Sequence, residues 1–292
     1  MSLTSFIDGI GVLAERYQGF ILDQWGVIHD GRTALPAAQQ AIAELKRRGK
    51  HLVLLSNSGR RAQLNRDRLA GMGFDLDLFD AVVTSGEIAW RQLRARTEAP
   101  FAGLGRRCLL FTLGGDLGVV EDLDLELVDE AGRADFILLT GLEIPPRTLA
   151  DYAAQVEPAA ARGVPMLCSN PDRVAPVTGD LVTAPGSLAA LYAEMGGPVH
   201  FIGKPHAAVY AACRAALGDL AAEEIVAIGD SMEHDVQGAQ RAGLASCFLL
   251  EGIHAAAFPE DMAQAELQRG VAALADRYGM APPVWVARRL AW

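Results

Sequence analysis

Short apolar runs alternate with longer, partly polar segments along most of this 292-residue chain. The runs Phe20–Leu22, His51–Leu55, Ala81–Thr84, Phe201–Ile202, Ile225–Ile228 and Cys247–Leu249 read as buried strands. Leu35–Arg48, Arg60–Met72, Ala207–Leu217 and Asp235–Ala242 read as helices, stopped by Gly49, Gly73, Gly218 and Gly243. Strands and helices in alternation predict an α/β fold with a parallel sheet and crossover helices.

Between about Gly86 and Gly197 the spacing restarts, with strands expected at Cys108–Leu113, Phe136–Thr140 and Met166–Cys168. That length suits a second domain inserted into the first. The expected division is a discontinuous core of residues 1–85 and 198–292 and an inserted α/β domain of residues 86–197. Within the insertion, Asp116–Asp135 carries eight carboxylates against the single base Arg133, a composition expected of a solvated face. Arg60, Arg61, Arg66 and Arg68 are likewise expected on a solvated helix face.

Composition narrows the partners. The formal charge of −10 argues against nucleic acid or an anionic membrane, since either needs a basic surface to replace counterions. No apolar stretch reaches the roughly 18–20 residues of a membrane span, and the first residues carry Asp8 and Glu15 instead of a basic leader, which points to the cytoplasm. Cys108, Cys168, Cys213 and Cys247 are too dispersed for a zinc motif and are expected as buried free thiols.

Four motifs stand behind predicted strands. Asp23-Gln24-Trp25-Gly26 releases a carboxylate into a glycine turn, and Ser56-Asn57-Ser58-Gly59 offers a hydroxyl and backbone N–H groups to a phosphate oxygen. Gly203-Lys204-Pro205 presents a constrained ammonium. Gly229-Asp230-Ser231-Met232-Glu233-His234-Asp235 sets two carboxylates five residues apart. Strand ends of an open parallel sheet converge at its carboxyl edge, so Asp23, Ser56, Lys204 and Asp230 are expected in one crevice. Oxygen ligands from Asp23 and Asp230 suit Mg²⁺, and Lys204 with the cation would offset repulsion between a carboxylate nucleophile and a phosphate dianion.

Taken in this order, the motifs resemble those of the haloacid dehalogenase-like hydrolases, and the chain is most similar to their class IIA phosphatases, which include p-nitrophenyl, sugar and nucleotide phosphatases. The ending Val284-Trp285-Val286 through Trp292 also resembles a subgroup with tryptophan in the first motif. The resemblance implies a Rossmann-like core, a class II cap in the insertion, and Mg²⁺-dependent hydrolysis of a small phosphorylated substrate through an aspartyl-phosphate. It implies that Asp23 is the nucleophile and that Asp23, the Trp25 carbonyl, Asp230 and Asp235 hold the metal. Gln24, Trp25, Ser56, Asn57 and Lys204 would bind the phosphate, and Asn170, Asp172 and Arg173 of the cap would meet the substrate. Homo-oligomerisation is left open.

Where phosphatases of this family carry a second aspartate to protonate the leaving oxygen, this chain has Trp25. General acid–base assistance is worth about 10²–10⁴ in rate, or roughly 3–5 kcal/mol of barrier. Three accounts follow: another group such as His29, Asp30 or His234 supplies the proton; turnover is confined to esters with good leaving groups; or the protein binds phosphorylated ligands without turning them over. A metal-free dehalogenase, which also places an aromatic residue there, fits less well because Asp230 and Asp235 favour Mg²⁺.

Overall fold

A computed structural model of the chain describes residues 4–177 and 180–292. Residues 1–3 of the expected core and 178–179 of the expected insertion lie outside it. The chain separates into two compact units: one formed by the chain up to Ser56, Arg66–Val83 and Lys204–Trp292, the other by Asn57–Asn65 and Thr84–Gly203. Each contains a sheet.

In the first unit seven strands lie in the order Ser5–Ile7, Trp285–Ala287, Ala245–Leu249, Ile225–Gly229, Gly19–Leu22, His51–Ser56 and Ala81–Thr84. From Ser5–Ile7 through His51–Ser56 every pairing is parallel. Gly19–Leu22 and Ile225–Gly229 are buried throughout, because helices cover both faces of such a sheet. Adjacent residues of one strand serve different cores: Cys247 and Leu249 pack with Leu22, Leu54 and Ile228, whereas Phe248 packs with Met232, Phe258 and Val271.

Helix Pro36–Arg47 opens with proline at its first turn, where a missing N–H costs nothing. Gly49, Gly73, Gly218 and Gly243 all take positive φ, the helix-stopping conformation expected of them. The two outer strands Ser5–Ile7 and Trp285–Ala287 have only three residues each, too few for the hydrophobic pattern to mark them.

The second unit is a five-stranded parallel sheet in the order Val199–Phe201, Met166–Cys168, Phe136–Leu139, Arg107–Phe111 and Glu126–Val128. An antiparallel pair, Val174–Val177 with Asp180–Thr183, joins it in the same unit. Helix Leu149–Ala160 starts with a reciprocal cap in which Thr148 and Asp151 satisfy each other's backbone N–H groups. The strand expected just before Lys204 is therefore an edge strand of this second sheet, paired with Met166–Cys168.

All four cysteines are free and buried, as expected. The acidic segment is largely a solvated face, with Asp135 tied to Arg107 at 2.6 Å. The arginine row differs from expectation at Arg61. Its guanidinium lies 3.7 Å from the Trp90 ring centroid and 2.6 Å from Glu87, because helix Ala62–Gly71 begins after it and leaves it to turn inward. No helix among the described residues is long and apolar enough to cross a membrane.

Candidate active site

Asp23 directly follows Gly19–Leu22, and Asp230 directly follows Ile225–Gly229. These strands are neighbours in parallel register, Leu22 beside Ile228, and the Asp23 N–H donates to the Ile228 carbonyl at 2.9 Å. Both carboxylates thus leave the sheet at the same level. Asp235 joins them from the turn Met232–Val236, a single wide π-helical turn, and oxygens of Asp23, Asp230 and Asp235 all lie within 4.8 Å of one another.

Lys204 sits between two of these carboxylates. Its Nζ is 2.5 Å from Asp23 Oδ1 and 2.7 Å from Asp235 Oδ1, with the side chain 5% exposed. The lysine reaches this position without being a strand end of the seven-stranded sheet, since the strand before it belongs to the other sheet. Asp235 divides its oxygens, Oδ1 facing Lys204 and Oδ2 accepting the Ser231 N–H at 3.0 Å. Tyr210, which sequence reasoning missed, donates toward the His234 and Asp235 carbonyls at 3.2 Å and fixes the same turn.

Glycine makes room for Asp230. A Cβ at Gly252 would stand 1.9 Å from Asp230 Oδ2, and one at Gly26 would stand 2.2 Å from it, while both residues have positive φ. Ile253 then donates its N–H to Oδ2 at 2.9 Å. The signal for this cradle was present in Gly26 of the first motif and in Glu251-Gly252 after the strand ending at Leu249.

Three buried carboxylates face one ammonium. Burial pushes Asp23 up to about 7 against the pull of Lys204, with Asp235 adding to the rise. Burial, Asp23 and Asp235 hold Asp230 well above the usual carboxylate range. Burial works against the charge of Lys204, yet Asp23 and Asp235 keep its pKa well above the ordinary lysine value. A hard divalent cation would relieve this surplus of negative charge, and an all-oxygen donor set suits Mg²⁺.

Trp25 is folded against its own loop. Its ring meets His29 edge-on at 6.0 Å between centroids, and a Cβ at Gly31 would be 2.2 Å from the indole. His29 is 1% exposed, and its Nδ1 accepts the Gly31 N–H at 3.0 Å. Burial, with nearby Arg68, lowers its pKa to about 4. Arg68 donates to the Gly31 carbonyl at 2.7 Å and braces the loop from outside. Asp30 accepts N–H groups of Arg32 and Thr33 at 2.8 and 2.7 Å, which lowers its pKa to about 2. Gln24 is buried, and its Nε2 has no hydrogen-bond partner among the described residues.

Ser56 ends the strand His51–Ser56, next to the strand that presents Asp23. Asn57 opens the second unit, where its Nδ2 donates to Asp172 Oδ1 at 2.7 Å and its Oδ1 accepts from Ser85 Oγ at 3.4 Å. Asn170 Oδ1 accepts the Asp172 N–H at 3.2 Å, closing the 169–173 turn, and Arg173 is exposed.

Comparison with known proteins accords with this geometry. A family profile described as haloacid dehalogenase-like hydrolase matches residues 20–126, and one described as HAD-hydrolase-like matches residues 201–277. The sugar-phosphatase AraL of Bacillus subtilis is 30% identical over 241 residues, covering 80% of this chain and 83% of its own.

The chain belongs to the haloacid dehalogenase-like hydrolases. Within them it falls among the class IIA phosphatases. A haloacid dehalogenase-like hydrolase from Brucella suis superposes with a TM-score of 0.82 at 27% identity, covering 98% of this chain and 100% of that one. Glycerol phosphate phosphatase from Mycobacterium tuberculosis, solved in complex with calcium, gives 0.64 at 25% identity, covering 82% and 68%. The two profiles flank residues 127–200, so the family signal falls on the stretches that carry Asp23, Lys204, Asp230 and Asp235.

Proposed function

We propose that this hydrolase cleaves phosphate monoesters of small sugar- or nucleotide-like substrates, with Mg²⁺, through an aspartyl-phosphate on Asp23. One observation carries the proposal: Asp23, Asp230 and Asp235 are gathered in one buried cluster whose only ammonium contact is Lys204 among the described pairings. Buried charge of one sign is costly unless a counter-charge and a ligand complete it.

In this reading an Asp23 oxygen attacks phosphorus while Lys204 neutralises the anion, and Ser56 with the Gln24, Trp25 and Asn57 backbone holds the remaining phosphate oxygens. Asp23, Asp230 and the Trp25 carbonyl would hold Mg²⁺, with Asp235 as a further ligand or as the anchor of Lys204. The bound cation would supply charge neutralisation and a template for the phosphate. Residues 86–197 act as the cap, and Asn170, Asp172 and Arg173 are its substrate-facing loop. Of these, Arg173 is the side chain with an exposed charge to offer a polar substrate. The names of AraL and of the M. tuberculosis relative support a small phosphorylated substrate.

The test is phosphate release from p-nitrophenyl phosphate, with and without Mg²⁺, by wild type and Asp23→Asn. Release should require Mg²⁺ and fall at least about 10³-fold in the variant. Release undiminished in Asp23→Asn would remove the proposal. A second reading, ligand binding without turnover, is favoured by the packing of Trp25 against His29 and Gly31. It predicts that phosphate esters raise the melting temperature in Mg²⁺ and stay intact.

A further inference from the structure

The turn that carries Asp235 takes part of its support from another helix. Met232–Val236 is a single π-helical turn, in which the Ser231 carbonyl is shared between the Asp235 and Val236 N–H groups at 2.9 and 3.2 Å. Turns this wide are rare, and they recur at functional sites. The Tyr210 hydroxyl lies 3.2 Å from the His234 carbonyl and 3.2 Å from the Asp235 carbonyl. A carbonyl can only accept, so the phenol is the donor and shares its one proton between them. Tyr210 belongs to helix Ala207–Ala216, which starts soon after Lys204.

Both ends of this contact are shaped for it. Tyr210 is buried, and a Cβ at Gly238 would stand 2.4 Å from its Oη, so glycine is what lets helix Gln237–Arg241 approach the phenol this closely. On the far side of the turn a Cβ at Gly229 would stand 2.1 Å from Asp235 Cγ, so the carboxyl group lies against the strand end that delivers Asp230. Asp235 is thereby held at three places: its carbonyl by Tyr210, its Oδ2 by the Ser231 N–H at 3.0 Å, and its Oδ1 by Lys204 at 2.7 Å. Asp230 takes separate support from the Ile253 N–H.

The place of Asp235 decides how Lys204 is shared. The ammonium bridges Asp23 Oδ1 and Asp235 Oδ1. Were Asp235 to shift, the ammonium would rest on Asp23 alone, against an oxygen of the attacking carboxylate, without the second contact that fixes its direction. Misalignment of this kind is costly, since a displacement of about 1 Å in a reacting assembly can lose about 10²-fold in rate.

We propose that Tyr210 is a positioning residue for the reaction, setting the Lys204 ammonium in place by holding the backbone of Asp235. Its hydroxyl acts on the turn, and its effect on chemistry passes through Asp235 and Lys204. The kinetic consequence rests on the phosphatase reading above, whereas the placement of the ammonium does not.

Tyr210→Phe keeps the ring and deletes the donor. With p-nitrophenyl phosphate and Mg²⁺ it should lower kcat by about 10–10²-fold and leave KM within about threefold of wild type. The chain has three lysines, Lys46, Lys50 and Lys204, so the Lys204 side chain can be followed by NMR of the full chain carrying isotope-labelled lysine, its signal identified by its loss in Lys204→Arg. That signal should shift in Tyr210→Phe. Val209→Ala opens a cavity beside Tyr210 on the same helix; it should cost at least as much stability in urea and leave both kcat and the Lys204 signal as in wild type. Gly238→Ala reaches the phenol from the opposite side and should reproduce the loss of kcat and the shift, which serves where Tyr210→Phe does not fold. A Lys204 signal unmoved in these variants would overturn the proposal, as would a kcat that falls no further than in Val209→Ala. Absence of turnover in wild type would remove the phosphatase reading alone, and the lysine spectrum would still decide the placement.

Discussion

Two turns at the carboxyl edge of the same sheet have been put to opposite uses. The turn Asp230–Asp235 spends backbone N–H groups and glycine space on carboxylates: Ser231 and Ile253 donate to Asp235 and Asp230, and Gly26 and Gly252 leave room for Asp230. The turn Asp23–Gly31 spends its polar groups on an aromatic ring: His29 and Gly31 bracket Trp25, and Arg68 and Thr33 hold the loop shut. One turn gathers carboxylates, and the other, past Asp23, closes on an aromatic ring. The difference shows that the two turns are held by largely different hydrogen bonds, with Gly26 shared between them: its N–H is bonded to His29 and its missing side chain makes room for Asp230.

Breaking the charged turn should have the larger effect. Asp230→Asn removes a negative charge from the buried trio. It should abolish the Mg²⁺-dependent stabilisation of the folded protein, which for a ligand at one hundred times its Kd is about 2.7 kcal/mol. Urea unfolding with and without Mg²⁺ would show it, and an unchanged Mg²⁺ increment would argue that Asp230 is not a ligand. Next comes Gly252→Ala, which places a Cβ against Asp230 Oδ2 at a φ of +107°. A destabilisation of about 1–3 kcal/mol is expected, together with weaker Mg²⁺ binding.

The packed turn should respond to pH. His29 has a folded pKa of about 4 against roughly 6.5 when unfolded, so between these values the unfolded chain binds a proton that the folded chain refuses. Stability from this group is complete above about pH 6.5 and is lost as the pH falls through 4, by up to about 3 kcal/mol. His29→Asn can still accept the Gly31 N–H and should flatten that slope. A slope that survives the substitution would place its origin elsewhere.

Much of the site was legible because it depends on strand ends. Asp23, Ser56 and Asp230 each close an apolar run, and a parallel sheet brings such ends together whatever the helices between them do. Lys204 was found for a reason that does not hold: it also follows an apolar run, but Val199–Phe201 pairs within the second sheet. A run of three residues carries no mark of which sheet will take it. The commitments of His29 and His234 were not legible either, since they depend on backbone N–H groups two and three residues away whose direction only the folded turn defines. Arg61 was misread for a related reason, because its partners Glu87 and Trp90 lie on another helix.

The pairing of Ser5–Ile7 with Trp285–Ala287 has a consequence for how the chain is made. Residue 5 waits for residue 285, so the outer strand of the seven-stranded sheet has no neighbour until Trp285–Ala287 has emerged. The second unit, complete by Gly203, can fold while the chain is still emerging. Asp23 can meet Lys204 and Asp230 only after that unit has been made, so the carboxylate cluster assembles later than the second sheet can.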